Sequence, residues 1–475
     1  MRPFPNYKSK DIIMNLLTDN IAGVYRKFFA AAFGSALITS IYSVVDAAMV
    51  GQYHGPVGLA AIAILAPVWN IIFSLGLLAG IGGSVLYAVR RGKSSTTRPA
   101  NRFFTAALLL GLALSILAAA ALFSFEDPLL RFFGGEGEAL RLAKLYMIPI
   151  KYGVPLFVFG NIFMAFLRND GNPRLATIAV ISGGVFNVFG DYFFVFTCNM
   201  GIIGAAYATA LGQIFALIIM STHFFRRANT LRLSMPLTPI LYSRKIATTG
   251  FSVFFIDIAM GILTVLFNRQ ILHYLGPNEL AIYGVIVTVG TFVQCCGYGI
   301  GQAAQPILSQ NFGAALFPRV KKTLSYSIWT AAIISALWLT ALILFPNAFI
   351  HLFMKPTPDV LKIAPPIIRA YSLAFIFLPF NVFTTYYFQA VMRSKTSFII
   401  SMARGLLLSG LLLVTLPLIF GANSLWYAIP AAELLTTLYA ASISCPAFCH
   451  GPLRRPITKG VRGASPAHPC FRHTI

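Results

Sequence analysis

The chain has 475 residues, of which 57% are hydrophobic and 10% are charged, and its formal net charge is +23. Soluble globular domains carry about 25% charged residues, so this composition excludes a soluble protein and is typical of a membrane protein. The positive charge could indicate a nucleic-acid partner, but the cations lie in short segments between apolar ones, where they act as topology signals. We therefore predict a lipid bilayer, and no nucleic acid, as a partner.

Twelve apolar segments are each long enough for a helix to cross a bilayer, which takes about 20 residues. Helices satisfy their own backbone hydrogen bonds in lipid, so these segments predict an all-α integral membrane protein with twelve transmembrane helices. The predicted segments are approximately 22–50, 58–89, 103–124, 143–168, 175–196, 202–225, 246–274, 279–310, 322–346, 366–392, 396–420 and 424–444.

The two halves of the chain repeat each other. A shift of 221 residues superposes Gly55-Pro56 on Gly276-Pro277 and Gly92 on Gly313. A shift of 220 pairs further positions, namely Asn161 with Asn381 and Gln213 with Glu433. Each half has an even number of helices, so the repeats are parallel, and substrate sites of such transporters lie between them. This predicts two six-helix lobes related by pseudo-two-fold symmetry.

Loop charges predict the orientation. Loops on the side of the N-terminus contain 28 Lys and Arg residues and the opposite loops contain seven, which predicts cytoplasmic termini. Residues 1–27 lack the apolar core of a secretory signal. The predicted divisions are a cytoplasmic N-terminal segment 1–21, an N-lobe 22–225 with helices 1–6, a cytoplasmic linker 226–245, a C-lobe 246–444 with helices 7–12, and a basic cytoplasmic tail 445–475.

Four of the thirteen acidic residues lie inside predicted helices, and an intramembrane acid is a functional-site hypothesis. At a rise of 1.5 Å per residue, Asp46, Asp191 and Thr209 reach one level, and Asn187 lies a turn deeper on the face of Asp191. Carboxylates and neutral oxygens at one level predict a proton or Na⁺ site. The alternative is that these acids are hydrogen-bonded for structure alone.

The other two intramembrane acids, Asp257 and Glu433, lie near the midplane of the second half. We predict that they belong to a substrate cavity and that at least one helps to bind cationic compounds. A purely structural role for both remains open at this point.

Several motifs resemble those of multidrug and toxic compound extrusion (MATE) transporters, most of all the bacterial MepA-like multidrug export branch. These motifs are Asp46-Ala-Ala-Met-Val-Gly51, Arg168-Asn-Asp-Gly-Asn-Pro173, Asn187-x-x-x-Asp191, Gly201-x-x-Gly204-Ala-Ala-x-Ala-Thr209 and Trp426-Tyr-Ala-Ile-Pro-Ala-Ala-Glu433. The resemblance covers about 20–445. It implies that Asp46, Asn187, Asp191 and Thr209 form the cation or proton coupling site of the N-lobe.

The resemblance also implies a function. The expected protein is a monomer in the bacterial inner membrane that exports amphipathic, often cationic drugs or toxins in exchange for H⁺ or Na⁺ by rocking of its lobes. No cofactor, catalytic residue or metal site is expected. The spacing of the Cys and His residues in the tail matches no zinc pattern. The sequence has no Gly-rich phosphate-binding loop, so ATP is not expected as the energy source.

Two alternatives remain. A lipid-linked oligosaccharide flippase of the same superfamily should have arginines along its cavity, and only Arg269 is found well inside a span. An integral membrane enzyme should have a nucleophile and a base, but no histidine lies near the centre of a span and no such motif occurs.

Overall fold

A computed structural model of the chain describes residues 15–93, 96–227, 229–353 and 357–449. The side chains of Ser43, Pro56, Asp257 and 444–449 are not described. Most of the predicted tail, from 450 onward, therefore lies outside the described residues. The boundaries proposed for the linker, tail and lobes stay predictions.

Eleven helices in the described residues are long and apolar enough to cross a membrane. They are α1 (Ile21–Gly55), α2 (Val57–Lys93), α3 (Arg98–Phe132), α4 (Gly137–Asn169), α5 (Pro173–Thr197), α6 (Ile202–Phe225), α7 (Pro239–Tyr274), α8 (Pro277–Gly313), α9 (Phe317–Leu344), α10 (Pro358–Ala390) and α11 (Ser394–Phe420). A twelfth helix, α12 (Ala428–Cys449), follows. A short helix, Pro346–Phe353, lies between α9 and α10.

The predicted all-α architecture of two six-helix lobes is confirmed. Most helices extend a few residues beyond their apolar segments; α1, for example, continues to Gly55. Gly55 has φ of 64° and ψ of −152°, a conformation that glycine adopts without a steric penalty. The residue after it is a proline, which lacks the N–H needed to continue the ladder of α1. The chain therefore turns here and returns as α2.

Within each lobe, large side chains fill the space between helices. In the N-lobe, Leu65, Phe104 and Phe166 are buried in one cluster. In the C-lobe, the rings of Phe267 and Tyr283 stack with centroids 4.3 Å apart. Packing of this kind gives each lobe a buried interior of its own.

The lobes meet through α2 and α8, which are equivalent helices of the two repeats. A Cβ atom at Gly92 would collide with the carbonyl oxygen of Gln310, and one at Gly313 would collide with that of Val89. Only glycine allows such close approach of two backbones. Gly250 of α7 is pressed against Leu78 of α2 in the same way. These contacts lie in the half of the bundle where α6 ends and α7 begins, which we call the linker end.

Candidate functional site

A cavity of about 380 Å³ lies inside the N-lobe. Polar and aromatic side chains from α1, α2, α4, α5 and α6 line it. Its polar lining includes Asp46, Asn70, Asn161, Asn187, Thr209 and Gln213, and its aromatic lining includes Tyr42, Trp69, Phe73, Tyr146 and Phe157. Aromatic faces beside a carboxylate suit an amphipathic cation.

The hairpin of α5 and α6 positions three of the predicted site residues. Glycines hold the two helices close: a Cβ at Gly183 would lie 2.8 Å from the carbonyl oxygen of Gly212. In this register the Nδ2 group of Asn187 donates to Thr209 Oγ1 at 3.2 Å and to Asp191 Oδ1 at 3.4 Å. The predicted shared face of Asn187 and Asp191 is therefore confirmed. Asp191 is fully buried behind the cavity wall, where α5 tightens into a π-helical turn (Tyr192–Thr197).

Tyr146 of α4 joins this hairpin to α1. Its hydroxyl donates to Asp46 Oδ2 at 3.2 Å and lies beside Thr209 and Asp191. Sequence analysis missed Tyr146, because one tyrosine among 19 in apolar helices gives no signal of its own. The structure thus brings Asp46, Asn187, Asp191 and Thr209 into one cluster, although their functional role stays a prediction.

Three oxygen atoms of the cluster lack a hydrogen-bond partner. Asp46 Oδ1, Asn187 Oδ1 and Asp191 Oδ2 are all buried and unpaired. Most buried polar atoms in proteins have a partner, because an unsatisfied one costs about 1–3 kcal/mol. Asp46 and Asp191 are also close enough to repel each other when both are charged. A proton or a cation would satisfy these oxygens and balance the charge.

Of the two intramembrane acids in the C-lobe, the structure describes the side chain of Glu433 only. The side chain of Asp257 lies outside the described residues. Glu433 is 3% exposed and accepts hydrogen bonds from Nε and Nη2 of Arg404, at 3.1 and 3.0 Å, and from Asn381 Nδ2, at 2.5 Å. It is not among the residues lining the N-lobe cavity. The expectation that Asp257 and Glu433 contribute to a substrate cavity stays a prediction.

The position of Arg404 differs from the sequence analysis, which included this residue among the 28 Lys and Arg residues of the loops and found only Arg269 well inside a span. The structure places it inside α11, 3% exposed, in a π-helical turn (Ala403–Leu407). Its position ten residues after the start of the helix was a signal that could have been used. An extra residue in a π-helical turn re-aims nearby side chains, and such turns are frequent at functional sites.

Another buried carboxylate, Asp170, lies between α4 and α5 at the linker end. It accepts from Arg91 Nη1 at 2.6 Å, from His223 Nε2 at 2.8 Å and from the backbone N–H of Thr230 at 3.0 Å. Burial alone would raise the pKa of this carboxyl, but the bonds from His223, Arg91 and Thr230 outweigh burial and lower its pKa below the usual value. The first residues after α6 are therefore fastened to the N-lobe.

No group of three or more His, Cys, Asp or Glu side chains that could hold a metal ion is found in the described part of the chain. The side chains of the Cys and His residues in the tail lie outside the part of the chain that the structure describes.

Comparison with known proteins identifies the family. The MatE family model matches residues 31–193 and again 252–414, two matches separated by the shift of 221 residues that aligns the repeats. The multidrug export protein MepA of Staphylococcus aureus strain MSSA476 is 22% identical over 412 residues, covering 86% of this chain and 90% of that protein. MepA of Staphylococcus saprophyticus subsp. saprophyticus is 22% identical with the same coverage.

Solved structures show the same fold. One is described as the outward-facing conformation of a multidrug resistance MATE family transporter of the MOP superfamily; it has a TM-score of 0.83 and 21% identity, covering 93% of this chain and 99% of that one. Another is a MOP superfamily transporter from Pyrococcus furiosus Vc1, with a TM-score of 0.83, 21% identity and coverage of 91% and 97%. The resemblance predicted from the motifs is confirmed: this chain belongs to the MatE family, a family of transporters and not a class of enzymes.

Proposed function

We propose that this protein is a secondary active antiporter that exports amphipathic, often cationic drugs or toxins in exchange for H⁺ or Na⁺. Asp46, Asn187, Asp191 and Thr209 form the coupling site in this proposal. It acts as a monomer in the bacterial inner membrane, with both termini and the linker in the cytoplasm. The names of the MepA relatives support the substrate class, and the excess of basic residues at the linker end supports the orientation.

The observation that carries the proposal is the set of three unpaired buried oxygens on Asp46, Asn187 and Asp191. Asp46 and Asn187 line a cavity with aromatic walls, and Asp191 is bonded to Asn187 behind it, so an ion and an organic cation would compete for the same negative charge. Occupation by a proton or Na⁺ removes the repulsion between the carboxylates and weakens the attraction for the organic cation. Ion entry is then linked to release of the drug.

Coupling requires that the ion binds two arrangements of the lobes with different affinity. Asp46 is on α1, whereas Asn187, Asp191 and Thr209 are on the α5–α6 hairpin. Neutralising the cluster lets α1 approach the hairpin, which narrows the cavity between them. Tyr146 follows Asp46 in this movement because its hydroxyl is bonded to that carboxylate.

The flippase alternative is not favoured. A cavity for a lipid-linked oligosaccharide diphosphate should offer cations, and no Lys or Arg is among the described residues lining the N-lobe cavity. Its charged lining residue is the acid Asp46.

Export from proteoliposomes under separately imposed proton and sodium gradients tests the proposal and names the ion. Asp191→Asn keeps the size of the side chain but cannot titrate. We expect this variant to bind drug and to lose uphill export by roughly tenfold or more. Asp46→Asn should behave similarly, and the double variant should be little worse, because residues that act as a unit are non-additive.

Asp127→Asn is the matched control, since it removes a carboxylate that is 44% exposed near the end of α3. It should export normally. If Asp191→Asn exports at the wild-type rate with unchanged ion dependence, the coupling site lies elsewhere and the proposal is refuted.

A further inference from the structure

The segment that joins the lobes, 226–245, has an unbalanced charge. Its five cations, Arg226, Arg227, Arg232, Arg244 and Lys245, are all exposed. The sequence contains no Asp or Glu between Asp191 and Asp257, so no nearby acid of this part of the chain neutralises them. An exposed set of cations of this density attracts an anionic partner.

The same segment and its borders expose large apolar side chains. Phe225, Leu233, Met235, Leu237 and Ile240 are between 73% and 89% exposed. Several of these residues belong to an irregular stretch between α6 and α7, outside the spans themselves. Large apolar side chains exposed together in one short segment indicate an interaction site, whereas single exposed ones are ordinary.

The backbone in the first half of the segment is held in place, so the exposed side chains there are presented in a fixed arrangement. Thr230 is bonded to Asp170, and its carbonyl oxygen accepts from Asn101 Nδ2 at 3.0 Å. The N–H of Ser234 donates to Thr105 Oγ1 at 2.8 Å, and Leu231 is 2% exposed. The N-lobe therefore carries the first half of the segment as part of its own surface.

We propose that the segment 226–245 is a docking surface for anionic phospholipids of the adjacent leaflet. Its apolar side chains enter the boundary between headgroups and acyl chains, and its cations bind the headgroup phosphates. The segment connects the ends of two membrane-spanning helices, and it therefore lies at the membrane surface. Apolar side chains and cations in one segment suit a lipid surface, where both find a partner within a few ångströms.

The test uses the full-length protein in lipid nanodiscs and needs no transport. A bimane label is attached at Leu237→Cys in a cysteine-free background, and the lipid is brominated phosphatidylglycerol or brominated phosphatidylcholine. We expect phosphatidylglycerol to quench the label more strongly at equal content. Arg226→Gln with Arg227→Gln should lower this preference by about 30-fold, since each cation near an anionic surface contributes about 1 kcal/mol. High salt should lower it as well.

The matched control is Lys321→Gln with Lys322→Gln, which removes two adjacent exposed cations at the same end of the bundle. They are flanked by the buried residues Val320 and Thr323 rather than by exposed apolar side chains. This variant should leave the quenching unchanged. Equal quenching by the two lipids, or equal effects of the two double substitutions, overturns the proposal. A label that only aqueous iodide quenches also overturns it. A label shielded from both iodide and lipid overturns it as well, because position 237 would then be packed against the protein itself.

Discussion

Glu433→Gln removes one half of a buried ion pair in the C-lobe. The side chains of Arg404 and Glu433 are 2% and 4% exposed, and two guanidinium nitrogens share the carboxylate oxygen Oε1. The substitution keeps the shape of the residue and its bond with Asn381, but it leaves the guanidinium without a counter-charge. Loss of one partner from a buried pair costs about 3–5 kcal/mol.

The melting temperature of the purified protein in detergent measures this loss. If the C-lobe, with roughly 200 residues, melts as a unit, each kcal/mol lowers the midpoint by about 2–4 °C, so we expect a decrease of roughly 6–20 °C. Arg404→Met combined with Glu433→Leu removes both charges and should be less destabilising than either single change. Glu138→Gln breaks an ion pair whose side chains are 60% and 55% exposed and should leave the midpoint unchanged.

A melting temperature of Glu433→Gln within about 1 °C of the wild type would refute this reasoning. Drug binding, measured on the folded variant, tests the separate prediction that Glu433 faces substrate. Weaker binding at temperatures where the variant is folded would support that prediction. Unchanged binding in Asp257→Asn, Glu433→Gln and the double variant would contradict it.

Gly313→Val places a side chain against the carbonyl oxygen of Val89, so we expect spin-label distances between the lobes at the linker end to lengthen. Unchanged distances would show that α2 and α8 are not tightly packed at this point. The lowered pKa of Asp170 stabilises the fold above the pKa of the unfolded state, and this contribution is lost on acidification. The difference in melting temperature between wild type and Asp170→Asn should thus be largest at neutral pH and shrink below about pH 4. A difference that stays constant with pH would contradict a stabilising role for the ionised carboxylate. In intact cells, an impermeant thiol reagent should label Cys198 and should not label Met235→Cys; the reverse pattern would contradict a cytoplasmic linker.

The sequence by itself determined the features that depend on one helix at a time. Hydropathy averaged over about 20 residues marks a span whatever its neighbours are, and the shift of 221 residues showed the two repeats. The shared face of Asn187 and Asp191 followed from helix geometry, because residues four apart always lie on one side. The common level of Asp46 and Thr209 followed from counting residues, since the rise per residue is constant.

The tertiary structure decided which helix faces meet. Tyr146 could be assigned to Asp46 only after α4 and α1 were packed, because nothing in either helix specifies the other. The same holds for Arg404, whose partner Glu433 lies 29 residues away on another helix. Unpaired oxygens are likewise a property of the assembled lobe, since a missing partner can be recognised only when every neighbour is in place. Hydropathy and helical periodicity fix the depth and the face of a side chain, but the rotation and separation of neighbouring helices fix its contacts.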